Sequence, residues 1–249
     1  MSRLSRKIRQ HFERFLHARG YRIEKLSDVH FLESLLYSHL KNHDELFFVQ
    51  IGANDGKTSD PIYQFVTLNQ RRVRGLVVEP VRDYFEQLKK NYAKYPNVTP
   101  VNVAIHSSEK EMTLYRVDPD KLKDLPQWAK GIASFDRSHH ELSGIPAEAI
   151  VPETVRCTTF DQLLADHQVS RIDLLQIDTE GYDAEILRGI DFDAVQPKII
   201  RFEHGLAEGI MSRETFSSIA DMLHAQGYEL VVESHDATAC QRETMVKAN

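Results

Sequence analysis

The sequence is poor in cysteine and lacks long apolar runs. Its 249 residues include only two cysteines, Cys157 and Cys240, and no CxxC pair, which argues against a zinc site or a redox motif. No stretch approaches about 18 apolar residues without charges, so we expect no integral membrane segment. The charged N-terminus also lacks the apolar core of a signal peptide. We therefore expect a cytoplasmic protein.

Positive charge is also in short supply. The net charge is −6, whereas a protein that binds nucleic acid through its charge is normally basic. No nucleic-acid partner is therefore expected. A local basic cluster near the N-terminus is either the solvated face of a helix or a weak patch for a polyanion or a membrane surface. Its members are Arg3, Arg6, Lys7, Arg9, Arg14, Arg19 and Arg22.

The length of the chain suits one α/β domain with a decorated N-terminus. In residues 1–45 apolar side chains recur at helical spacing, which predicts an N-terminal helical extension. These helices could cover the sheet, close a site or form a homo-oligomer interface. Over residues 46–249 buried strands alternate with helices, and this rhythm predicts a mostly parallel central sheet with helices on both faces.

Short apolar runs predict the strands. They are Leu46–Ile51, Gly75–Glu79, Val98–Ile105, Met112–Val117, Thr154–Thr159, Ile172–Ile177, Lys198–Glu203, Tyr228–Val232 and Cys240–Val246. Residues 118–152 interrupt the pattern with several prolines and glycines. A structureless run this long is usually a functional lid or a disordered insert, and we interpret it as lid-like. Its Trp128, Phe135 and His140 could stack on a sugar ring or simply pack the insert.

A glycine loop follows the first strand, and an acid ends the second. The loop is Gly52-Ala53-Asn54-Asp55-Gly56 (residues 52–56). In open α/β sheets ligands bind at the carboxyl ends of the strands, and glycine lets the main chain approach them closely. Glu79 is placed to accept hydrogen bonds from both hydroxyls of a ribose. Because no GxGxxG motif is present, the pair suits S-adenosylmethionine (SAM), which has no phosphate, better than NAD.

Carboxylates gather after the later strands. Asp178 and Glu180, in the segment IDTEGYD, lie on the same side of an extended chain. Glu203 and His204 end the next strand. These four residues are our catalytic candidates: the acids could bind acceptor hydroxyls or act as a base, and His204 could take a proton. Asp178, Glu180 and Glu203 could alternatively hold a divalent metal such as magnesium. The competing interpretation is acids favoured by a helix dipole and a structural histidine.

Five segments of the chain resemble the FkbM family of SAM-dependent methyltransferases. They are FFVQIGANDGKTSDP, GLVVEP, TPVNVAIHSSEKEMTLY, TTFDQLL and IDLLQIDTEGYDAEILRGID. The last is the most specific, since a strand, IDxEGYD and an aliphatic helix form the family's signature. The resemblance implies a Rossmann-like class I methyltransferase fold that binds SAM. It also implies O-methylation of a hydroxyl on a sugar, glycolipid or secondary metabolite.

The same resemblance implies the cofactor-binding residues. They are Gln50, Gly52, Ala53, Asn54, Asp55, Gly56, Glu79, Pro80, Val103 and Ala104. By position the loop surrounds the methionine tail, Glu79 holds the ribose, and Val103 lies on the adenine side. Gln50 stands where many SAM sites carry an acid, and an amide offers no charge to the SAM ammonium group. Asp55 or Asp60 could supply that charge.

Two further function classes remain to be weighed. One is a non-catalytic scaffold or regulatory module that binds SAM or a nucleoside, which Gln50 favours weakly and the retained acids oppose. The other is a short-chain NAD-dependent oxidoreductase, which would need a GxGxxG turn and a Tyr-x-x-x-Lys motif. The acceptor is expected to be a small molecule or a glycan, because no basic channel accompanies the aromatic residues of the insert.

Overall fold

The computed structural model describes residues 31–242. Contacts divide the chain into two compact units, Met1–Tyr37 and Ser38–Asn249, and the strands named below all lie in the second. The basic cluster and residues 1–30 of the predicted helical extension lie outside the described residues. The described part of that extension is helical from Phe31 to Asn42.

Strands and helices alternate along the second unit. The strands in chain order are β1 Leu46–Ile51, β2 Val73–Val78, β3 Val98–Val101, β4 Ala104–Ile105, β5 Glu111–Val117, β6 Ala133–Ser134, β7 Ile150–Thr158, β8 Leu174–Ile177, β9 Ile199–Glu203, β10 Tyr228–Val232 and β11 Asp236–Gln241. The α-helices are α1 Phe31–Asn42, α2 Tyr63–Leu68, α3 Arg82–Tyr92, α4 His139–Leu142, α5 Phe160–Asp166, α6 Asp183–Arg188 and α7 Arg213–Ala225.

Seven strands form the main sheet, in the order β3-β2-β1-β8-β9-β11-β10. Its strand pairs are parallel except for the two that β11 makes with β9 and β10. A dinucleotide-binding sheet has the strand order 3-2-1-4-5-6. In this sheet the antiparallel strand β11 is inserted between β9 and β10, which is the arrangement of a class I methyltransferase. The predicted fold class is confirmed. The strand order reverses between β1 and β8, where such sheets bind their ligands.

The strands at this reversal are the most deeply buried. All four residues of β8 and five of the six in β1 are buried, as expected for strands covered on both faces. They contribute Val49, Ile51, Leu175 and Ile177 to a single large apolar core. This rigid centre fixes the carboxyl ends of both strands, where the candidate residues lie.

Residues 118–152 are ordered, so the expectation of a structureless run is wrong. β7 begins at Ile150 and pairs antiparallel with β5, within a second sheet of order β4-β7-β5-β6. Between these two strands lie three 3₁₀ turns, β6 and α4. A small apolar cluster supports the insert; its buried members are Val117, Ala129, Ile132, Ile145 and Ala149. Elements of two to five residues are too short to give a periodic signal in the sequence.

Several predicted strands differ from the structure by a few residues at their ends, and two differ by more than that. The third predicted strand is split, because β3 ends at Val101 and β4, starting at Ala104, belongs to the second sheet. The last strand is Asp236–Gln241 rather than Cys240–Val246, and residues after 242 lie outside the described part. Its centre consists of small residues, which give little apolar contrast. Cys157 and Cys240 are both free thiols.

A buried carboxylate fastens the amino end of β8 to its neighbours. Asp173 accepts hydrogen bonds from the N–H of Phe47 at 2.9 Å and from Arg171 at 3.0 Å, and Lys198 lies 3.0 Å away. Burial opposes ionisation, but these partners lower the pKa of Asp173. We expect Asp173→Ala to reduce the free energy of unfolding by about 2 kcal/mol, because it leaves the N–H of Phe47 and the cations Arg171 and Lys198 without their buried acceptor.

Urea denaturation of the wild type and variant tests this expectation. Asp221→Ala removes an exposed carboxylate in α7 and serves as the control, with an expected change below about 0.5 kcal/mol. Since the folded-state pKa of Asp173 is depressed, its contribution is complete above about pH 3.9 and declines as the pH falls below that value. A stability difference that stays constant through that range would contradict this account.

Candidate active site

A cleft opens at the carboxyl ends of β1, β2 and β8, where the strand order reverses. This first cleft spans about 680 Å³, a volume that includes space open to solvent. Its walls come from the glycine loop, the end of β2, β4, the insert and the loop after β8. The residues lining it include Gly52, Asn54, Glu79, Pro80, Tyr84, Val103, Ala104, Gly131, Phe135, Asp178, Thr179, Glu180 and Tyr182.

The two glycines of the glycine loop lie in close contact with neighbouring parts of the chain. Gly52 has φ +80°, and a Cβ at this position would lie 1.6 Å from the carbonyl oxygen of Asp178. Gly56 has φ +65°, and its Cβ would meet Leu88 and Tyr92 of α3. Both glycines are therefore required by the close approach of neighbouring groups as well as by their left-handed conformation.

Glu79 sits between this loop and the cleft with both oxygens already engaged. Oε2 accepts a hydrogen bond from the N–H of Asn54, and Oε1 accepts one from the N–H of Val81, each at 2.8 Å. Burial raises the pKa of Glu79 to about 7. Each carboxylate oxygen keeps a second lone pair, so the group can still receive hydroxyl donors from a ligand.

Asp55 holds the insert against the glycine loop. Its carboxylate accepts hydrogen bonds from the N–H of Thr58 at 2.7 Å and from Nζ of Lys130, also at 2.7 Å. Although burial opposes this, the hydrogen bonds from Lys130 and Thr58 lower the pKa of Asp55 to about 2. Asn54 reinforces the attachment by donating from Nδ2 to the carbonyl of Lys130 at 3.3 Å.

Gln50 lies behind the cleft, where it supports another acid. Its Nε2 donates to Oδ2 of Asp60 at 2.9 Å, and Oδ1 of Asp60 accepts the N–H groups of Ile62 and Tyr63 at the start of α2. Burial raises the pKa of Asp60. The carboxyl group that is missing at Gln50 is therefore supplied by its hydrogen-bond partner Asp60.

The predicted cofactor residues thus fall into two groups. The first lines the cleft and consists of Gly52, Asn54, Glu79, Pro80, Val103 and Ala104. The second lies behind it and consists of Gln50, Ala53, Asp55 and Gly56. The structure brings all ten into one region, and the second group shapes the loop that the first group presents.

Among the acids of the segment IDTEGYD, Asp183 has the clearest structural function. Its Oδ2 accepts the N–H of Thr179 at 3.0 Å and the hydroxyl of the same residue at 2.5 Å. Its Oδ1 accepts the N–H of Glu203 at 2.9 Å. Asp183 therefore ties the loop after β8 to the end of β9, and so places Asp178 and Glu180 at the cleft.

Glu180 is held in an unusual conformation. Its φ is +53°, in the left-handed region that an L-residue adopts at a cost of about 1–3 kcal/mol. Oγ of Ser134 donates to its carbonyl oxygen at 2.7 Å, and its Oε2 lies 2.8 Å from Nε2 of His139. Both partners come from the insert, and the sequence patterns did not single out either as a site residue.

The remaining acids share an electrostatic environment. Removal from bulk water, together with the charges of Glu180 and Asp183, raises the pKa of Asp178 well above its usual range. Removal from water and the charge of Asp178 likewise raise the pKa of Glu203. Among residues 31–242 no three His, Cys, Asp or Glu side chains meet as a metal-ligand group, so Asp178, Glu180 and Glu203 do not form one.

His204 lies away from both the first cleft and the acids that line it. Its Nε2 is 3.2 Å from the carbonyl of Glu233, and its Nδ1 accepts the N–H of Leu206 at 3.2 Å. The ring packs edge-on against Phe216. These contacts give the ring a structural role, and its catalytic role stays an untested prediction.

A second cleft adjoins the first and holds about 690 Å³ of empty space. Phe135, Glu180 and Tyr182 line both clefts, and the ring of Phe135 packs edge-on against Tyr182 at 5.1 Å. Trp128 is exposed to solvent, and His140 is turned inward, with Nδ1 2.7 Å from the carbonyl of Ile145. Of the three aromatic candidates in the insert, only Phe135 reaches the clefts.

Comparisons with known proteins agree with this geometry. Residues 50–230 match the family model described as the methyltransferase FkbM domain. No curated protein matches the chain. No helix within the described residues has the length and apolar character needed to cross a membrane.

Several solved structures are similar at low identity. Precorrin-6y C5,15-methyltransferase from Geobacter metallireducens is 16% identical, with a TM-score of 0.41 over 84% of this chain and 87% of that chain. The O-methyltransferase from Bacillus cereus, solved with SAH, is 11% identical, with a TM-score of 0.43 over 87% and 84%. At such scores these likenesses add nothing on substrate, and the fold assignment depends on the strand order and the family match.

The contact between Lys130 and Asp55 generates a prediction about the insert. We expect Lys130→Met to lower the free energy of unfolding by about 2 kcal/mol, because it leaves the buried carboxylate of Asp55 without its cation. Hydrogen exchange of residues 118–152 should become faster, as measured by mass spectrometry. The control is Lys123→Met, which changes an exposed lysine of the same insert. Equal exchange rates in the two variants would rule out the proposed attachment.

Proposed function

The chain belongs to the FkbM methyltransferase family, and from this we propose that it transfers the methyl group of SAM to a hydroxyl of a sugar, glycolipid or secondary metabolite. The observation that carries the proposal is the pair of clefts that meet at Glu180. One has the features of a nucleoside site, and the other is a separate space beside it for an acceptor.

The first cleft fits the parts of SAM in order. The carboxylate of Glu79 faces the position of a ribose diol. Val103, Ala104 and Phe135 offer an apolar wall for the adenine. At the other end, the charge near Asp178 suits a ligand that carries an ammonium and a sulfonium group. When bound there, SAM supplies an electrophilic methyl carbon.

The residues at the junction would align and activate the acceptor. In methyl transfer the main contribution of an enzyme is to hold the acceptor oxygen in line with the methyl carbon. Asp178 and Glu180 line the first cleft, and Glu180 also lines the second. We therefore keep these two as candidates for orienting the hydroxyl and assisting the removal of its proton. Glu203 and His204 line neither cleft and would support the site from behind.

Calorimetric titration tests the cofactor assignment. We expect the wild type to bind SAM with micromolar affinity, about −8 kcal/mol. Glu79→Ala should weaken binding by tenfold or more, equivalent to about 1.4 kcal/mol, because it removes the acceptor for the ribose hydroxyls. Glu86→Ala, which alters an exposed carboxylate of α3, is the matched control. Wild-type affinity in the Glu79 variant would exclude this placement of the ribose.

The pH dependence of binding provides a second test of Glu79. The pKa of the free protein's Glu79 is raised to about 7, and the ionised form accepts two ribose hydroxyls where the protonated form accepts fewer. The affinity for SAM should therefore increase between about pH 6 and pH 8. Glu79→Gln cannot ionise, so its affinity should lack this rise. The same slope in both proteins would assign the effect to another group.

A panel of acceptors tests the reaction. The protein is incubated with SAM and neutral glycosides, glycolipids or hydroxylated metabolites, and the formation of SAH and of an O-methyl ether is followed by mass spectrometry. Transfer to oxygen supports the proposal. SAM binding without turnover of any acceptor would favour the scaffold function instead, and transfer to nitrogen or carbon would replace the assigned acceptor atom.

A further inference from the structure

The two carboxylate oxygens of Glu180 face different clefts. Oε2 lies 2.8 Å from Nε2 of His139 in the second cleft. Oε1 faces Gly131 of the first cleft, where an added Cβ would lie 3.5 Å from it. The hydrogen bond from Ser134 to its carbonyl and the left-handed main chain fix this position. The fold therefore holds one carboxylate at the meeting point of both clefts.

His139 presents its other ring nitrogen to the second cleft. The residue begins α4 and is almost completely buried. Among the described residues Nδ1 makes no hydrogen bond, and it lies 3.7 Å from the place where a Cβ on Gly181 would sit. The missing side chain of Gly181 leaves space beside this nitrogen. A carboxylate bound to Nε2–H fixes the tautomer and leaves the lone pair on Nδ1 as a proton acceptor.

The lining of the second cleft indicates the kind of acceptor. Asp136, Glu141 and Glu180 are acidic, whereas His139 is the basic side chain among the described lining residues. A phosphate or carboxylate on the acceptor would meet like charges. The ring of Phe135 offers an apolar face at the junction. A hydroxylated ring without negative charge matches this combination.

We propose that His139, oriented by Glu180, takes the proton from a hydroxyl of an uncharged ring acceptor bound in the second cleft; this rests on the proposed function. The O–H bond breaks and its proton passes to Nδ1. The acceptor oxygen forms a bond to the methyl carbon while the carbon–sulfur bond of SAM breaks and its electron pair goes to sulfur. The imidazolium then releases the proton to solvent. His139 is the catalytic residue of this step, and Glu180 is a positioning residue.

The rate should follow the protonation of this imidazole. The titratable groups that line the second cleft with it are Glu180 and Tyr182 from the loop after β8, and Asp136 and Glu141 from the insert. The loop after β9 faces it with the uncharged residues Gly209 and Ile210. We expect kcat to rise with pH to a plateau as the imidazole loses its proton.

Two substitutions test the pair with SAM and methyl glucoside as the acceptor probe. His139→Gln should lower kcat by about 100-fold or more, leave the Kd for SAM unchanged and remove the acidic limb of the pH profile. Glu180→Gln should also lower kcat, but by less than His139→Gln, and leave the Kd for SAM unchanged, because the amide oxygen can still accept the hydrogen bond that orients the ring. His140→Gln, a neighbouring buried histidine that lines neither cleft, is the control and should retain kcat.

A comparison of a neutral and a negatively charged acceptor tests the proposed selectivity of the second cleft. Glucose 6-phosphate should be methylated at least about tenfold less efficiently than methyl glucoside, because its phosphate meets Asp136 and Glu141. Wild-type kcat and an intact acidic limb in His139→Gln would overturn the proposal. Equal loss of kcat in His140→Gln would also overturn it, since the effect would then reflect the integrity of the insert.

An NMR titration separates failure of this proposal from failure of the proposed function. The ring signals of His139, assigned with the His139→Gln variant, are followed as methyl glucoside or glucose 6-phosphate is added to the SAH-bound protein. A response to the neutral glycoside alone supports the second cleft as the acceptor site, even if no acceptor in the panel is methylated. No response to either sugar overturns the proposal, whatever the turnover.

Discussion

The close approach of two main chains at the carboxyl ends of β1 and β8 organises the rest of the structure. A Cβ on Gly52 would lie 1.6 Å from the carbonyl oxygen of Asp178, so only glycine fits between the strands' extensions. The N–H of Asp178 donates to the carbonyl of Ile51 at 3.0 Å and continues the sheet ladder to this point. The glycine loop and the acidic loop therefore form one continuous wall. A nucleoside cofactor and an acceptor can meet there because the two loops cannot separate without breaking the sheet.

Polar groups then fix what this wall presents. Asp183 joins the acidic loop to β9, and Glu79 joins the glycine loop to the end of β2. Placing several carboxyl groups together in a buried region disfavours their ionised forms. Loss of water and mutual repulsion therefore raise the pKa values of Asp178 and Glu203. Such perturbed groups concentrate at functional sites. A cationic ligand in the first cleft would favour the ionised forms of these groups.

The features that could be predicted from the sequence are those that depend on a regular local pattern of residues. Alternating strands and helices predicted the fold class, and the glycines and acids that follow strands predicted several residues that line the first cleft. The position of a residue along a strand did not reveal whether its side chain lines the cleft. Gln50 and Asp55 do not line it, because Gln50 is hydrogen-bonded to Asp60 and Asp55 to Lys130. The contact between His139 and Glu180 could not be predicted, because His139 comes from an insert whose short elements give no periodic signal and lies 41 residues from Glu180 in the sequence.

A few polar contacts connect the insert, residues 118–152, to the two loops of the candidate site. Its apolar cluster is distinct from the main core, and Ala133 and Phe135 of the insert also pack against the cluster around Val81 and Tyr84. Polar contacts attach it to both loops of the site: Lys130 binds Asp55 of the glycine loop, and Ser134 and His139 bind Glu180 of the acidic loop. Hydrogen bonds of this kind each contribute about 1 kcal/mol net, or somewhat more with a charged partner. A ligand that stabilises either loop should therefore also stabilise the insert, because these contacts join the insert to both loops.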